Sequence, residues 1–271
     1  MSETGLKATA PYRQHLSRTL PFAFHTLSFL ANRSAPFIAA FVAARLLGVD
    51  EFGRFAAAVG VFMTATLVVD LGFAVSTIHN VAKGRDAGCR QQYRTALVAL
   101  ILCLTASGIL GVIIAFVHTD LAALIFNSAA MVEPLAAGAL FVPAAAVFAI
   151  ATGVLQGMRR FAVLAAAGIC GTAIHVTLVA MAALHGDAVL ALWAAATGMA
   201  VRAAAVALPL ARGLVLAAQD LWTAGAKSEA ASLVRTAIPA SVASLVFAPV
   251  NAVLLATLFR SEGGAAEAGA F

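Results

Sequence analysis

A chain of 271 residues with 62% hydrophobic and only 11% charged residues, at a mean hydropathy of +0.98, lies far from the roughly 25% charged and 45–50% apolar make-up of a soluble domain. Secreted disulfide scaffolds, disordered tails, coiled coils and ordinary cytosolic enzymes are excluded by that composition, which predicts an all-α polytopic membrane helix bundle. The net charge of +5 has to be tested against membrane topology before it is read as a nucleic-acid signal.

About 20 apolar residues cross the hydrocarbon core as a helix, and on that ruler the chain holds seven spans: 20–44, 55–78, 96–117, 135–156, 162–184, 188–210 and 236–258. The first carries His25, Asn32 and Arg33 and is too long for a cleaved signal. Between the third and fourth, His118–Glu133 holds a short apolar run, Leu121–Phe126, and reads as an interfacial segment; Leu214–Lys227 reads the same way after the sixth. Pro36, Pro143 and Pro249 are candidate kinks. Cys89, Cys103 and Cys170 show neither C-x-x-C nor metal-ligand spacing, so no metal is expected.

Lys and Arg set the orientation. Twelve of them, from Lys7 through the Lys83–Arg94 loop and Arg159–Arg160 to Arg235, fall on one side, while Arg45, Arg54 and Arg260 fall on the other. The basic side is therefore the cytoplasm and takes the N-terminus. Tyr12, Tyr93, Trp193 and Trp222 sit near predicted boundaries, as interfacial aromatics do. The basic pI is topology, and no nucleic acid is expected as a partner. The Lys83–Arg94 loop is secondarily a site for anionic lipid headgroups.

The chain also repeats itself. Leu16-Ser-Arg18-Thr19, with Pro21 after it, returns as Leu233-Val-Arg235-Thr236, with Pro239 after it. Gly48-Val-Asp-Glu51-Phe-Gly53-Arg-Phe55 returns as Gly264-Ala-Ala-Glu267-Ala-Gly269-Ala-Phe271. The offsets are 217 and 216 residues, which predicts two parallel six-span units. The expected organisation is a cytoplasmic N-terminus (1–19), a six-span lobe (20–212), a cytoplasmic connector (213–232) and the first span of an incomplete second lobe (233–271). On this reading the sequence is a fragment of a protein of about 430 residues, twice the 216-residue offset; were it complete, it would be a half-transporter that must form a homodimer, or a remnant that moves nothing.

The segments Leu47–Phe55, Val69-Asp70-Leu71-Gly72-Phe73 and Gly153-Val-Leu-Gln156-Gly157-Met-Arg-Arg-Phe161, in this order, resemble the polysaccharide-transporter branch of the MOP/MATE flippase superfamily. The restart at Leu233 is similar to the beginning of that family's second lobe. The resemblance implies a V-shaped two-lobe transporter in the bacterial inner membrane that moves a lipid-linked oligosaccharide, on polyprenyl pyrophosphate, by alternating access. It implies no cofactor beyond coupling to a H+ or Na+ gradient. Implied partners are the lipid-linked glycan, membrane lipids, and the glycosyltransferase and glycan polymerase machinery.

An ionisable residue inside a span costs about 2.5–3.5 kcal/mol on insertion scales, so each needs a partner or a wet cavity. At 1.5 Å per residue from the cytoplasmic ends, Arg33 lies about 22 Å deep, His175 about 21 Å, Asp70 and Arg202 about 13–15 Å and His25 about 10 Å. Arg33 is a candidate cavity cation, since guanidinium donates bidentately to phosphate; the alternative is an ion pair with Asp70. Asp70 is a candidate coupling carboxylate or that structural partner. Arg202, His175 and Asn251 (mid-span beside Pro249, where it would line the lobe interface) complete the candidate pathway residues, against readings in which the histidines meet neighbouring carbonyls or hydroxyls and Arg202 lies off the pathway, because the resemblance implies a peripheral sixth span. Competing functions are a cation-coupled multidrug exporter, for which acidic residues without arginines would be expected, a membrane-bound glycan ligase or polymerase, and a non-transporting scaffold. The largest outer loop offers only one His, one Asp and one Glu, with no nucleophile motif, so catalysis is not expected.

Overall fold

The computed structural model describes residues 26, 27, 29, 30, 32, 34–70, 72–219, 227–239, 250 and 257, and every regular element among them is helical. In chain order these are α1 (Ser34–Leu46), α2 (Val49–Asp70), α3 (Phe73–Lys83), α4 (Cys89–Leu121), α5 (Val132–Ala136), α6 (Gly138–Gly157), α7 (Phe161–Ala183), α8 (Ala188–Ala207) and α9 (Ala211–Ala218). Residues 227–239 form α10. Among the described residues, five helical stretches are long and apolar enough to cross a bilayer: Val49–Asp70, Cys89–Phe126, Ala129–Gly157, Phe161–Ala183 and Ala188–Ala218. The chain is a multi-pass membrane protein.

Four of the seven predicted spans, 96–117, 135–156, 162–184 and 188–210, lie on α4, α5–α6, α7 and α8 with the turn Leu208–Leu210. α4 is longer than its span. Its 33 residues reach about 50 Å at 1.5 Å each, so a 20-residue ruler finds only its middle. The segment after it is a π-helical turn, Ala122–Phe126, followed by a 3-10 turn, Ala129–Met131. Of the first span, the described part is helical and runs on to Leu46. The predicted span 55–78 is divided into α2 and α3. The seventh, 236–258, falls almost wholly outside the described residues.

α6 runs through the middle of the bundle, packed against α2, α3, α4 and α8, while α7 packs on α8. Phe141, Ile150, Val154 and Leu155 of α6 are buried. α1 presents Ala35, Ala39 and Ala43 inward at every fourth position, and Leu47 just past its end continues the row, one stripe of a 3.6-residue helix; Phe37 and Phe41 are exposed. Large apolar residues on the outside, such as Phe116, Ile109 and Leu184, suit a surface whose solvent is lipid.

Small residues bring the helices close. A Cβ at Gly153 would lie 3.0 Å from the Ala74 carbonyl oxygen, and one at Gly157 2.9 Å from Val81 Cβ, so this i, i+4 glycine pair on α6 seats α3. Pro143 removes the N–H that would meet the Ala139 carbonyl; that carbonyl abuts Gly111 of α4, where a Cβ would come within 2.7 Å of it.

At the end of the bundle away from the basic loops, the Gly48–Phe55 motif has a structural task. Gly48 takes φ 74° between α1 and α2, a left-handed conformation favourable to glycine. Glu51 pairs with Arg54 at 2.6 Å, and its Oε2 accepts the N–H of Ala188 at 3.0 Å. Ala188 opens α8, so the carboxylate meets a free amide at the positive end of the helix dipole. Asp187 caps the same helix through the Val189 N–H at 2.8 Å. Glu51→Ala is expected to lower stability by about 1 kcal/mol, read as a fall of about 2–4 °C in the melting temperature in detergent, with Glu51→Gln losing less.

Candidate functional site

The first polar feature inside the membrane is the break between α2 and α3. α2 ends at Asp70, and Gly72 takes φ 75°, ψ 7°, a left-handed turn that interrupts the helical ladder. Asp70 Oδ1 accepts the N–H of Ala74 at 2.9 Å, and the Ser76 N–H donates to the Gly72 carbonyl at 2.9 Å. The carboxylate thus caps a helix that starts within an apolar segment. Breaks of this kind persist in membranes only where protein or water satisfies the freed backbone, and in transporters they mark ion and substrate sites. Asp70 is half-buried, and among the described residues no cation forms an ion pair with it.

A second cluster lies between α7 and α8. The two helices run antiparallel with reciprocal pairs: Arg202 sits over Gly171, and His175 over Gly198. A Cβ at Gly171 would meet Arg202 Cα at 3.2 Å, and one at Gly198 would meet His175 Nδ1 at 2.5 Å. Both polar side chains are buried, Arg202 with 2% of its surface exposed. Arg202 donates from a terminal guanidinium nitrogen to the Asn32 carbonyl at 3.2 Å and lies 4.4 Å from the centre of the Phe148 ring. Among the described residues no carboxylate is in ion-pair range of it.

The third cluster is at the basic end, where α10 meets α3 and α4. Arg94 Nε is 2.9 Å from Glu229 Oε1, which also accepts from Gln91 Nε2 at 3.0 Å. The Ser232 hydroxyl donates to Asn80 Oδ1 at 2.9 Å, and the buried Ser76 hydroxyl donates to the Leu233 carbonyl at 2.7 Å. Beside this seam is a cavity of about 340 Å³ lined by Asn80, Lys83, Gln91, Thr95, Glu229 and Ser232. The seam joins α3 and α4 to α10, whose Glu229 and Ser232 lie in the predicted connector and whose Leu233 opens the predicted second unit. Asn80→Cys combined with Ser232→Cys is expected to cross-link under mild oxidation, read as a reducible mobility shift on a gel after proteolysis between residues 80 and 232. No shift would mean that the seam is not populated.

Of the six ionisable or polar candidates read from the sequence, His25, Arg33 and Asn251 lie outside the described residues, and with them the Arg33–Asp70 pair. The structure brings Arg202 and His175 together and does not bring either to Asp70 as an ion-pair partner. The seam residues Asn80, Gln91, Glu229 and Ser232 were not singled out from sequence. In sequence Arg94 reads as a member of a topological charge cluster and of a site for anionic headgroups, and its partner Glu229 stands 135 residues away, where no local signal points to it. Among the described residues no three His, Cys, Asp or Glu side chains gather as metal ligands.

Geometry therefore defines a multi-pass helical membrane protein with a span broken at an acidic residue and a polar seam at its basic end. The model of a family described as polysaccharide biosynthesis protein matches residues 22–267, nearly the whole chain, and the protein belongs to that family, whose members are membrane transporters of the flippase type. No curated protein and no solved structure matches it.

Proposed function

We propose that the protein is part or all of a flippase that carries a polyprenyl-pyrophosphate-linked oligosaccharide from the inner to the outer leaflet of the bacterial inner membrane, for surface polysaccharide synthesis. The observation that carries this reading is the family match over residues 22–267 on a bundle whose second span is broken at Asp70. Family and fold favour transport over glycan ligation or polymerisation.

In this reading the basic end faces the cytoplasm, where the cargo is made, and Arg33 is the cation that engages pyrophosphate, because guanidinium keeps its charge in low dielectric. Asp70 lies at the break, where a freed backbone and a carboxylate together offer a site for the H+ or Na+ that drives the cycle. The seam between α10 and α3–α4 closes the cytoplasmic side and opens when the lobes rock. Locking it through the Asn80→Cys/Ser232→Cys pair therefore stops transport, and a reductant restores it.

The experiment is deletion of the gene in its host. Lipid-linked glycan should accumulate on the inner leaflet, surface polysaccharide should fall, and the gene in trans should reverse both. Normal surface polysaccharide with no trapped lipid intermediate would refute the reading; accumulation of toxic cations or dyes in the same strain would favour the drug exporter.

A further inference from the structure

Pro36 lies four residues after Asn32. In a helix the Asn32 carbonyl would accept the N–H of residue 36, and proline has none. A carbonyl left unmet in hydrocarbon is costly enough that membrane helices tolerate proline only where something else supplies the donor. Here a donor comes from a residue 170 positions away: the Arg202 guanidinium reaches the Asn32 carbonyl at 3.2 Å. The fit is built on three sides. Gly171 leaves room for the Arg202 backbone to approach α7, Phe148 of α6 offers its ring face at 4.4 Å, and the side chain is buried to 2%. Among the described residues the charge is met by a carbonyl dipole and a ring rather than by an acid. Pro143, inside α6, shows a different solution, since the carbonyl it frees is backed by Gly111.

We infer that Arg202 is a positioning residue for the first span: it supplies the hydrogen-bond donor that Pro36 lacks and so fixes that span against α6, α7 and α8 at Asn32. The sequence next after Asn32 is Arg33, so the brace sits beside the cation assigned to cargo. The consequence for transport rests on the proposed function; the consequence for stability does not.

The test is a double-substitution cycle on the purified full chain. Arg202→Met removes every donor while keeping an unbranched side chain, and Pro36→Ala restores the N–H. In the natural background Arg202→Met should lower the melting temperature clearly; in the Pro36→Ala background the loss should shrink to less than half. If Arg202→Met alone does not accumulate, the double variant should regain folded protein. Equal losses in both backgrounds, or no regain, would overturn the inference. Should Pro36→Ala itself not accumulate, Arg202→Lys, which keeps a donor, should retain at least half the natural yield while Arg202→Met does not; equal yields would overturn it. The flipping assay, normalised to folded protein, separates a brace from a cargo contact. A brace predicts that Pro36→Ala rescues transport in Arg202→Met, whereas a cation that contacts cargo stays lost in both backgrounds. Absence of flipping by the natural chain would count against the proposed function and leave the stability cycle standing.

Discussion

Gly157→Leu is expected to remove most of the folded protein from the membrane. A Cβ at this position would already lie 2.9 Å from both Val81 Cβ and Val81 Cγ1 and 3.0 Å from the Ile78 carbonyl oxygen, so a leucine would have to push α3 off α6. Val81 has no exposed surface, and the carbonyl belongs to helix backbone, so neither neighbour can swing aside. Overpacking of a tight core costs about 1–3 kcal/mol and more where backbone must move, against a total stability of about 5–15 kcal/mol. The damage would also spread, because α3 carries Ser76 and Asn80 of the basic-end seam. Gly153→Ala should be milder, since its methyl would meet the Ala74 carbonyl oxygen at 3.0 Å and Ile78 Cγ1 at 3.4 Å. Gly108→Leu is the control: a Cβ there has nothing within 4 Å. Fluorescence-detected size-exclusion chromatography of the three variants reads the order directly. A normal monodisperse peak for Gly157→Leu would show that α3 and α6 do not pack as described.

Asp70 is expected to separate into two roles under substitution. Asp70→Asn keeps a side-chain oxygen for the Ala74 N–H that Asp70 now accepts at 2.9 Å, and asparagine is as good a helix cap as aspartate. The fold and melting temperature should therefore change little. Charge is lost, and under the proposed function transport should fall by about 5- to 150-fold, the range of an ordinary coupling free energy. Asp70→Leu loses the cap as well, at about 1 kcal/mol, and should both destabilise and inactivate. Full transport by Asp70→Asn would reduce Asp70 to a cap for α3.

How much of this was legible in the sequence depends on whether the signal was local. Composition alone placed the chain in the membrane, and apolar run length located α4, α6, α7 and α8, because hydropathy is local and insertion reads it directly. The division of the second span was not visible. Only Gly72 departs from helical dihedrals between Gly48 and Gly84 among the described glycines with positive φ, and a glycine in an apolar run reads equally well as helix packing. In sequence the motif Val69–Phe73 carries only a family resemblance, whereas its physical content is a capped break. Glu51 was likewise noticed as part of a repeat, and its bond to the start of α8 spans 137 residues.

The buried charges show the same boundary between local and distant information. Depth along a helix was countable, so Arg202 and His175 were recognised as needing partners. Pro36 on its own reads as a kink. The link between Pro36 and Arg202 depends on three-dimensional packing through Gly171, which no spacing rule contains. The seam at the basic end was missed for a related reason: Lys83–Arg94 is a dense run of cations, and charge counting treats its members as equivalent. Glu229 distinguishes Arg94 from the rest.

The most direct test of the central claim uses the purified full chain in proteoliposomes loaded with a fluorescent polyprenyl-pyrophosphate oligosaccharide. Leaflet exchange is followed by quenching from outside under an imposed H+ or Na+ gradient. The account predicts gradient-dependent flipping that Asp70→Asn suppresses without loss of folded protein. Exchange no faster than in empty vesicles, from protein that is folded and inserted, would contradict it.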